Sequence, residues 1–230
     1  MPGVSSWRSI TISNIYDVCK AYNTTLNSHM MKNDEWGAVA YLSKSEYGKE
    51  TEEVWINNSS SFITGSAGNS ASASANTGTT TDYTSMQGVK ASTTGTVYGV
   101  YDMSGGAWEY VAGYVNNGHS SLTTYGSSLV NSTEAKMKNV YTKASTDNNT
   151  NNYNQNASKY GDAVYETSAN GNTSNESWYG DFSDFPYTSS PFFIRGGSYG
   201  NGSNAGVFAF GDDNGNAVSS NSFRPVLVAL

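Results

Sequence analysis

Two histidines, one cysteine and nineteen carboxylates are the groups from which this 230-residue chain would have to build a catalytic or metal centre. His29, His119 and Cys19 lie far apart in the sequence. Imidazole and thiolate ligation of a transition metal needs several such groups converging on one point. Neither a redox metal centre nor an intrachain disulfide is therefore expected, and Cys19 sits in an apolar phase where a free thiol behaves as a small buried hydrophobe. Two polar clusters near the C-terminus offer other chemistry. Gly200-Asn201-Gly202-Ser203-Asn204-Ala205 matches the letters of a dinucleotide-binding glycine loop, but strand-like residues 207–210 follow where a helix must stand, so the glycines read as turn residues. Asp212-Asp213-Asn214 has the oxygens to chelate a cation for sugar binding and reads more simply as a solvated turn; carbohydrate stays open as one ligand class.

Both clusters fall inside a segment that differs from the rest of the chain. Two of the three arginines, Arg195 and Arg224, bracket it. Between them Gly, Asn, Ser, Ala and Asp alternate with a few apolar residues, Tyr199, Val207, Phe208, Phe210 and Phe223. Lys, Glu, Gln, Met and Trp make up 31 of the 230 residues, which predicts about four in the window 196–223 in proportion. The window contains none.

The closing pattern R-G-G at Arg195, G-S-N-A-G-V-F at Gly202 and S-F-R-P-V-L at Ser222 resembles the C-terminal variable region of proteins diversified by diversity-generating retroelements. In that family adenines are randomised, chiefly in Asn-type codons, which can yield Asn, Ser, Asp, Gly, Ala, Val, Tyr and Phe but not the five missing types. Upstream, VYGVYDMSGGAWEY from Val97 to Tyr110 is similar to the G-L-Y-D-M-x-G-N-V-W-E-W signature of formylglycine-generating-enzyme-type domains, a branch of the C-type lectin fold. The helical stretch from Met30 to Gly48 also resembles such proteins.

The resemblance implies an α+β, C-type lectin-like fold with two helices, small twisted antiparallel sheets and much irregular loop. It also implies a diversified C-terminal binding surface, about residues 195–225, displayed by a bacterial cell surface or a phage virion to an unknown macromolecular or cell-surface ligand. The expected ligand-binding positions are Ser198, Tyr199, Gly200, Asn201, Ala209, Gly211, Asp212, Asp213, Val218, Ser219, Ser220 and Asn221, open to solvent on one face over buried Val207, Phe208, Phe210 and Phe223. The family's thiol-oxidising enzyme ligates copper through cysteines, and its iron-dependent relatives use histidines with a carboxylate. This chain has neither set, so no catalytic residues are expected; a formylglycine-type oxidase and a structural surface or pilus-tip module are the alternatives. No cofactor is expected. Calcium, which relatives hold with the G-N-V-W-E segment, is the one left open: Glu109 is kept, but Gly106 replaces the Asn and removes one oxygen ligand. Asp102 and Glu109 would then cap backbone amides instead. Arg195 and Arg224 are expected to pin the segment's ends by bidentate hydrogen bonds to carboxylate or carbonyl groups.

Composition narrows the partners. A net charge of −7 and a pI near 4.7, with the lysines scattered, disfavour nucleic acid. Charged residues are only 13%, so solubility must rest on Asn, Ser, Thr, Gly and Tyr, a surface suited to an extracellular setting. No apolar run reaches the roughly 20 residues that span a bilayer. Met1-Pro2-Gly3 opens without a basic and apolar leader, so export or anchoring signals are expected in a longer parent protein. The length suits one domain, residues 1–230.

The elements that must position the segment are a helix over 12–22 capped by Ser9 or Thr11, and a second begun by Asn33 with Trp36, Val39, Ala40, Ser43 and Tyr47 on one face until Gly48. Val54-Trp55-Ile56 is expected as a strand and 59–81 as a long surface loop. A central strand over 108–115 should place Trp108, Tyr110 and Tyr114 on one face. The polar insert 116–190 should contain a helix near 133–142 with Glu134 and Lys138 paired, a mobile tip at 147–156, and aromatic residues from Trp178 to Phe193 that wrap the fold. Strands at 192–199, 207–210 and 223–228 should close a small antiparallel sheet.

Overall fold

A computed structural model describes residues 2–75, 82–169, 171–172 and 174–228. Helix α1, Ile12–Ala21, starts where the Thr11 side chain accepts a bond from Asn14 N. It buries Ile12, Ile15, Tyr16 and Cys19, the apolar phase seen in the sequence. After the short strand β1, His29–Met30, comes α2, Asn33–Leu42. Lys32, not Asn33, is its N-cap, and Glu35 Oε2 accepts from Lys32 N at 2.9 Å. Asn33 is drawn into the core instead, where its Nδ2 donates to Tyr141 Oη at 2.9 Å. The helix ends at Leu42, short of Gly48, and Tyr47 is exposed.

Strand β2, Trp108–Asn116, is central, as expected, and is buried along nearly its whole length. Two four- and five-residue helices, α3 (Ser121–Thr124) and α4 (Ser127–Asn131), follow, and then β3, Asn139–Thr142. Helix α5, Asn149–Gln155, precedes β4 (Phe192–Arg195), β5 (Phe210–Asp213), β6 (Asn221–Phe223) and β7 (Pro225–Val226). The five-stranded sheet runs β3-β2-β4-β5, with β6 also on β2. Strand β4 pairs antiparallel with β2, whereas β3 and β6 pair with it in parallel. The last strands thus do not form the single small antiparallel sheet expected: β6 joins the main sheet and β7 pairs with β1.

Alternation along β2 divides the core between two helices. Tyr110, Ala112 and Tyr114 pack with Ile12, Ile15, Cys19 and Phe192 on the α1 side, and Trp108 joins them partly buried. Val111 and Val115 pack with Trp36, Phe193 and Phe210 on the α2 side.

Three local expectations fail for identifiable reasons. Residues 133–142 form a 3-10 turn and β3 rather than a helix, because Tyr141 is drawn into the α2-side core against Phe185 and Phe193. Glu134 bonds Lys20 at 2.6 Å, while Lys138 Nζ donates to the carbonyls of Leu129, Val130 and Ser132 at the end of α4. The stretch 147–156 holds α5. Asn148 caps it, and buried Asn152 accepts from Ala144 N and donates to Asp147 and the Pro186 carbonyl. Residues 54–56 make single backbone bonds to Lys90 and Gly68 but no strand. Of the expected 59–81 loop, Ser59, Ser66, Ala67 and Ala73 are buried, and 76–81 lie outside the described residues. Among the described residues, no helix is long and apolar enough to cross a membrane.

Candidate functional site

Register fixes where each end of the segment is held, since Arg195 on β4 stands opposite Glu109 on β2. Arg195 is fully buried. Its Nη1 donates to Asn33 Oδ1 at 3.3 Å and to the Asp162 carbonyl at 3.2 Å, and Nη2 donates to the Ala163 carbonyl at 3.2 Å. Desolvation lowers its pKa from 12.5 to about 10, with Asp162 and Tyr141 opposing the fall. At the other end Arg224 Nε donates to Glu109 Oε2 at 2.6 Å, and Nη2 donates to Glu109 Oε1 and to the Tyr101 carbonyl. Burial pushes the Glu109 carboxyl up and Arg224 opposes it. Both arginines therefore act as the expected pins, one on carbonyls and an amide oxygen, the other on a carboxylate. Both Glu109 oxygens thus accept from Arg224 rather than from the backbone amides expected.

Between the pins the chain makes two partly open loops. Tyr199–Asn204 is a 3-10 stretch broken at Gly202, whose φ of 55° and ψ of −134° suit only glycine. Asn201 Oδ1 accepts from Ser198 N at 2.8 Å and from Ser198 Oγ at 2.9 Å, which ties the turn to itself. Tyr199 N donates to the Gly106 carbonyl at 2.8 Å, and its ring stands edge-on to Phe62 at 5.1 Å. The Arg8 guanidinium covers Phe62 at 3.9 Å and bonds the Ser219 carbonyl, while Ser9 N donates to the Val218 carbonyl at 3.0 Å. Residues 198–201 and 218–220 are thus brought together around Phe62 and Arg8. Neither of those two residues stands out in the sequence; their long-range contacts carry no local pattern.

Burial divides the expected binding positions. Gly200 and Ser219 are exposed, and Ser198, Tyr199, Asn201, Asp212, Asp213, Val218 and Ser220 are partly so. Ala209, Gly211 and Asn221 are buried, contrary to expectation. Ala209 is locked by backbone bonds to Gly196 and Gly206, and Gly211 lies under Ile194 and Phe182. Asn221 pairs with Trp108 and donates to Asp213 Oδ2 at 3.1 Å. Val207, Phe208 and Phe210 are buried as expected, and Phe223 is partly buried with its ring 5.5 Å from that of Trp7.

Nor do the partly open positions share one face. Asp213 stands opposite Phe192 and bonds Tyr110 and Asn221 on the α1 side of the sheet, whereas Asp212 stands opposite Phe193 on the other. Asp212 meets Asp184 and Ser190 there, and burial together with the Asp184 charge lifts its pKa to about 7. Period-2 alternation parts the two adjacent acids, so they cannot converge on one cation.

The other chemical groups are dispersed. His29 Nε2 bonds Glu35 at 2.8 Å, His119 Nδ1 bonds Ser121, and Cys19 is buried with its pKa pushed up to about 12, chiefly by desolvation. Among the described residues no three His, Cys, Asp or Glu side chains gather as a metal-ion site. No protein-family model matches this chain, and no curated protein matches it.

Proposed function

We propose that the segment between Arg195 and Arg224 is a diversified ligand-binding surface carried by a C-type lectin-like scaffold of the formylglycine-generating-enzyme type, in a retroelement-diversified protein displayed on a bacterial surface or phage particle. The observation that carries this reading is the contrast along the segment. Its two ends are fixed by arginines, one fully buried and one largely so, while Ser198–Asn201 and Val218–Ser220 remain at least partly open. A rigid frame that offers small polar residues and an aromatic ring uses the physics of an antibody paratope.

The contact set is Ser198, Tyr199, Gly200, Asn201, Asp213, Val218, Ser219 and Ser220. That is well below the roughly 20–30 residues per side of a standard protein interface, and Tyr199 is the one Trp, Tyr or Arg anchor in it. Monovalent binding is then about micromolar, and many copies on one particle supply the avidity. The deciding experiment is to sequence the adjacent DNA. The expected finding is a near-copy of the Arg195–Pro225 coding segment, differing only opposite adenines, beside a reverse transcriptase; its absence overturns the proposal.

A further inference from the structure

Beside the Arg224–Glu109 pair lies a cavity of about 470 Å³, bordered by Pro2 and residues 4–7, by Tyr101 and Asp102, and by β6 and β7. That volume falls in the range of about 300–1,000 Å³ typical of small-molecule sites. Its apolar wall is aromatic. Trp7, 58% exposed, forms the rim against Phe223. Tyr101 is set by an edge-on contact with Tyr83 and by an O–H bond to the Tyr83 carbonyl at 2.9 Å.

The charges in this wall do not cancel. Arg224 is committed to Glu109, both of whose oxygens accept from it. The third charged group is Asp102. It accepts from Asn57 Nδ2 at 2.7 Å and from Gly65 N at 3.0 and 3.1 Å, all neutral donors. Ionised, it gives the lining side chains one net negative charge, shared through space with Arg224, which favours the ionised form of Asp102. Asp102 also stands at φ 61°, a left-handed backbone that non-glycine residues rarely adopt and that gathers at functional sites. Desolvation raises its pKa, so a carboxylate is held there at a cost that a cation in the cavity would relieve.

We propose that this cavity binds an organic ammonium ion, with the charge against Asp102 and the apolar part against Trp7, Tyr101 and Phe223. A carboxylate for the charge and an apolar aromatic wall for the alkyl chain are what such an ion requires. The ion is either a free amine or the side-chain ammonium of a lysine on a partner. The site shares no residue with the contact set proposed above, so either proposal can fail alone.

The test is saturation-transfer NMR on the whole protein with n-butylammonium, 1-butanol as its neutral counterpart, and Nα-acetyl-lysine methylamide. Saturable transfer to n-butylammonium, and none to butanol at the same concentration, is expected. Stronger transfer to the lysine amide identifies a partner's lysine as the source; stronger transfer to butylammonium identifies a free amine. Asp102→Asn should weaken binding about tenfold or more. Trp7→Ala, at a largely exposed position, should weaken it about two- to five-fold. Equal transfer to butanol, or unchanged affinity in both variants, overturns the proposal. Should Asp102→Asn melt early, Trp7→Ala and the butanol comparison decide the question.

Discussion

Replacing Arg224 by Met should destabilise the protein far more than the loss of a surface ion pair. The Glu109 side chain is 7% exposed and that of Arg224 19%, and both carboxylate oxygens accept from the guanidinium. Exposed pairs contribute about 0–1 kcal/mol, but removing one partner of a buried pair leaves an uncompensated charge and costs about 3–5 kcal/mol. The Tyr101 carbonyl loses a donor as well, adding about 1 kcal/mol. In a chain of this size each kcal/mol lowers the melting temperature by about 2–4 °C, so a fall of roughly 8–24 °C is expected. Calorimetry of Arg224→Met, Glu109→Leu and the double variant makes the argument specific. The double variant removes both charges together and should recover most of the loss, because it is the orphaned carboxylate that carries the penalty. A fall of under about 2 °C for Arg224→Met, or a double variant as unstable as the sum of the singles, would refute the reasoning.

Asp181, buried and accepting from Phe208 N at 2.9 Å, has its pKa raised from 3.8 to about 8, chiefly by desolvation. A raised carboxyl pKa gives stability that is complete below 3.8 and is lost as pH climbs through 8. The melting temperature should therefore fall between pH 5 and 8 by the equivalent of about 3 kcal/mol, and Asp181→Asn should flatten that slope; an equally steep profile in the variant sinks the assignment. Tyr199→Ala should abolish ligand binding and cost about 1 kcal/mol through its lost contact with Phe62, so a variant that binds normally misplaces the surface. Gly211→Tyr should overpack, since even a Cβ there meets Ile194 at 3.3 Å, whereas exposed Ser219→Tyr should leave urea unfolding within about 0.5 kcal/mol of the parent. Asn152→Ala, which orphans three partners, should cost about 2–4 kcal/mol by the same assay, and a negligible change would mean that α5 is not held as described.

Where sequence reading succeeded, the signal was periodic and local. The apolar positions of α1 recur at helical spacing, and the aromatic residues of β2 at every second or fourth position, Trp108, Tyr110 and Tyr114, share the α1 side of the core. Arg195 and Arg224 were legible for another reason: a lone arginine at each end of a neutral stretch must find partners or remain in water. Failures came where a distant partner overrode local preference. Asn33 looks like a cap, yet Tyr141 and Arg195 claim its amide. The Asn-rich stretch at α5 reads as a mobile tip because an amide that completes buried hydrogen bonds is indistinguishable, in a sequence, from one in solvent. Asp212 and Asp213 read as one cluster until the pairing of β4 with β5 sends them to opposite faces.

These distant partners explain how the segment could vary and still fold. Arg195 is received by Asn33 and the carbonyls of Asp162 and Ala163, and Arg224 by Glu109 and the Tyr101 carbonyl. Tyr199 N rests on Gly106, Val218 on Ser9, Ser219 on Arg8, and Phe208 N on Asp181. All of these partners lie outside residues 196–223, and between the two arginines the four bonds named use the segment's backbone rather than its side chains. A backbone bond survives a change of side chain, so Ser219 or Val218 can be replaced without removing the contact that holds its loop. Ala209, Gly211 and Asn221 lack this freedom, because Ala209 is fully buried, a side chain at Gly211 would meet Ile194 and Phe182, and the Asn221 amide is bonded to Asp213. Variation tolerated at the first group and rejected at the second is thus what the geometry demands, whatever the ligand.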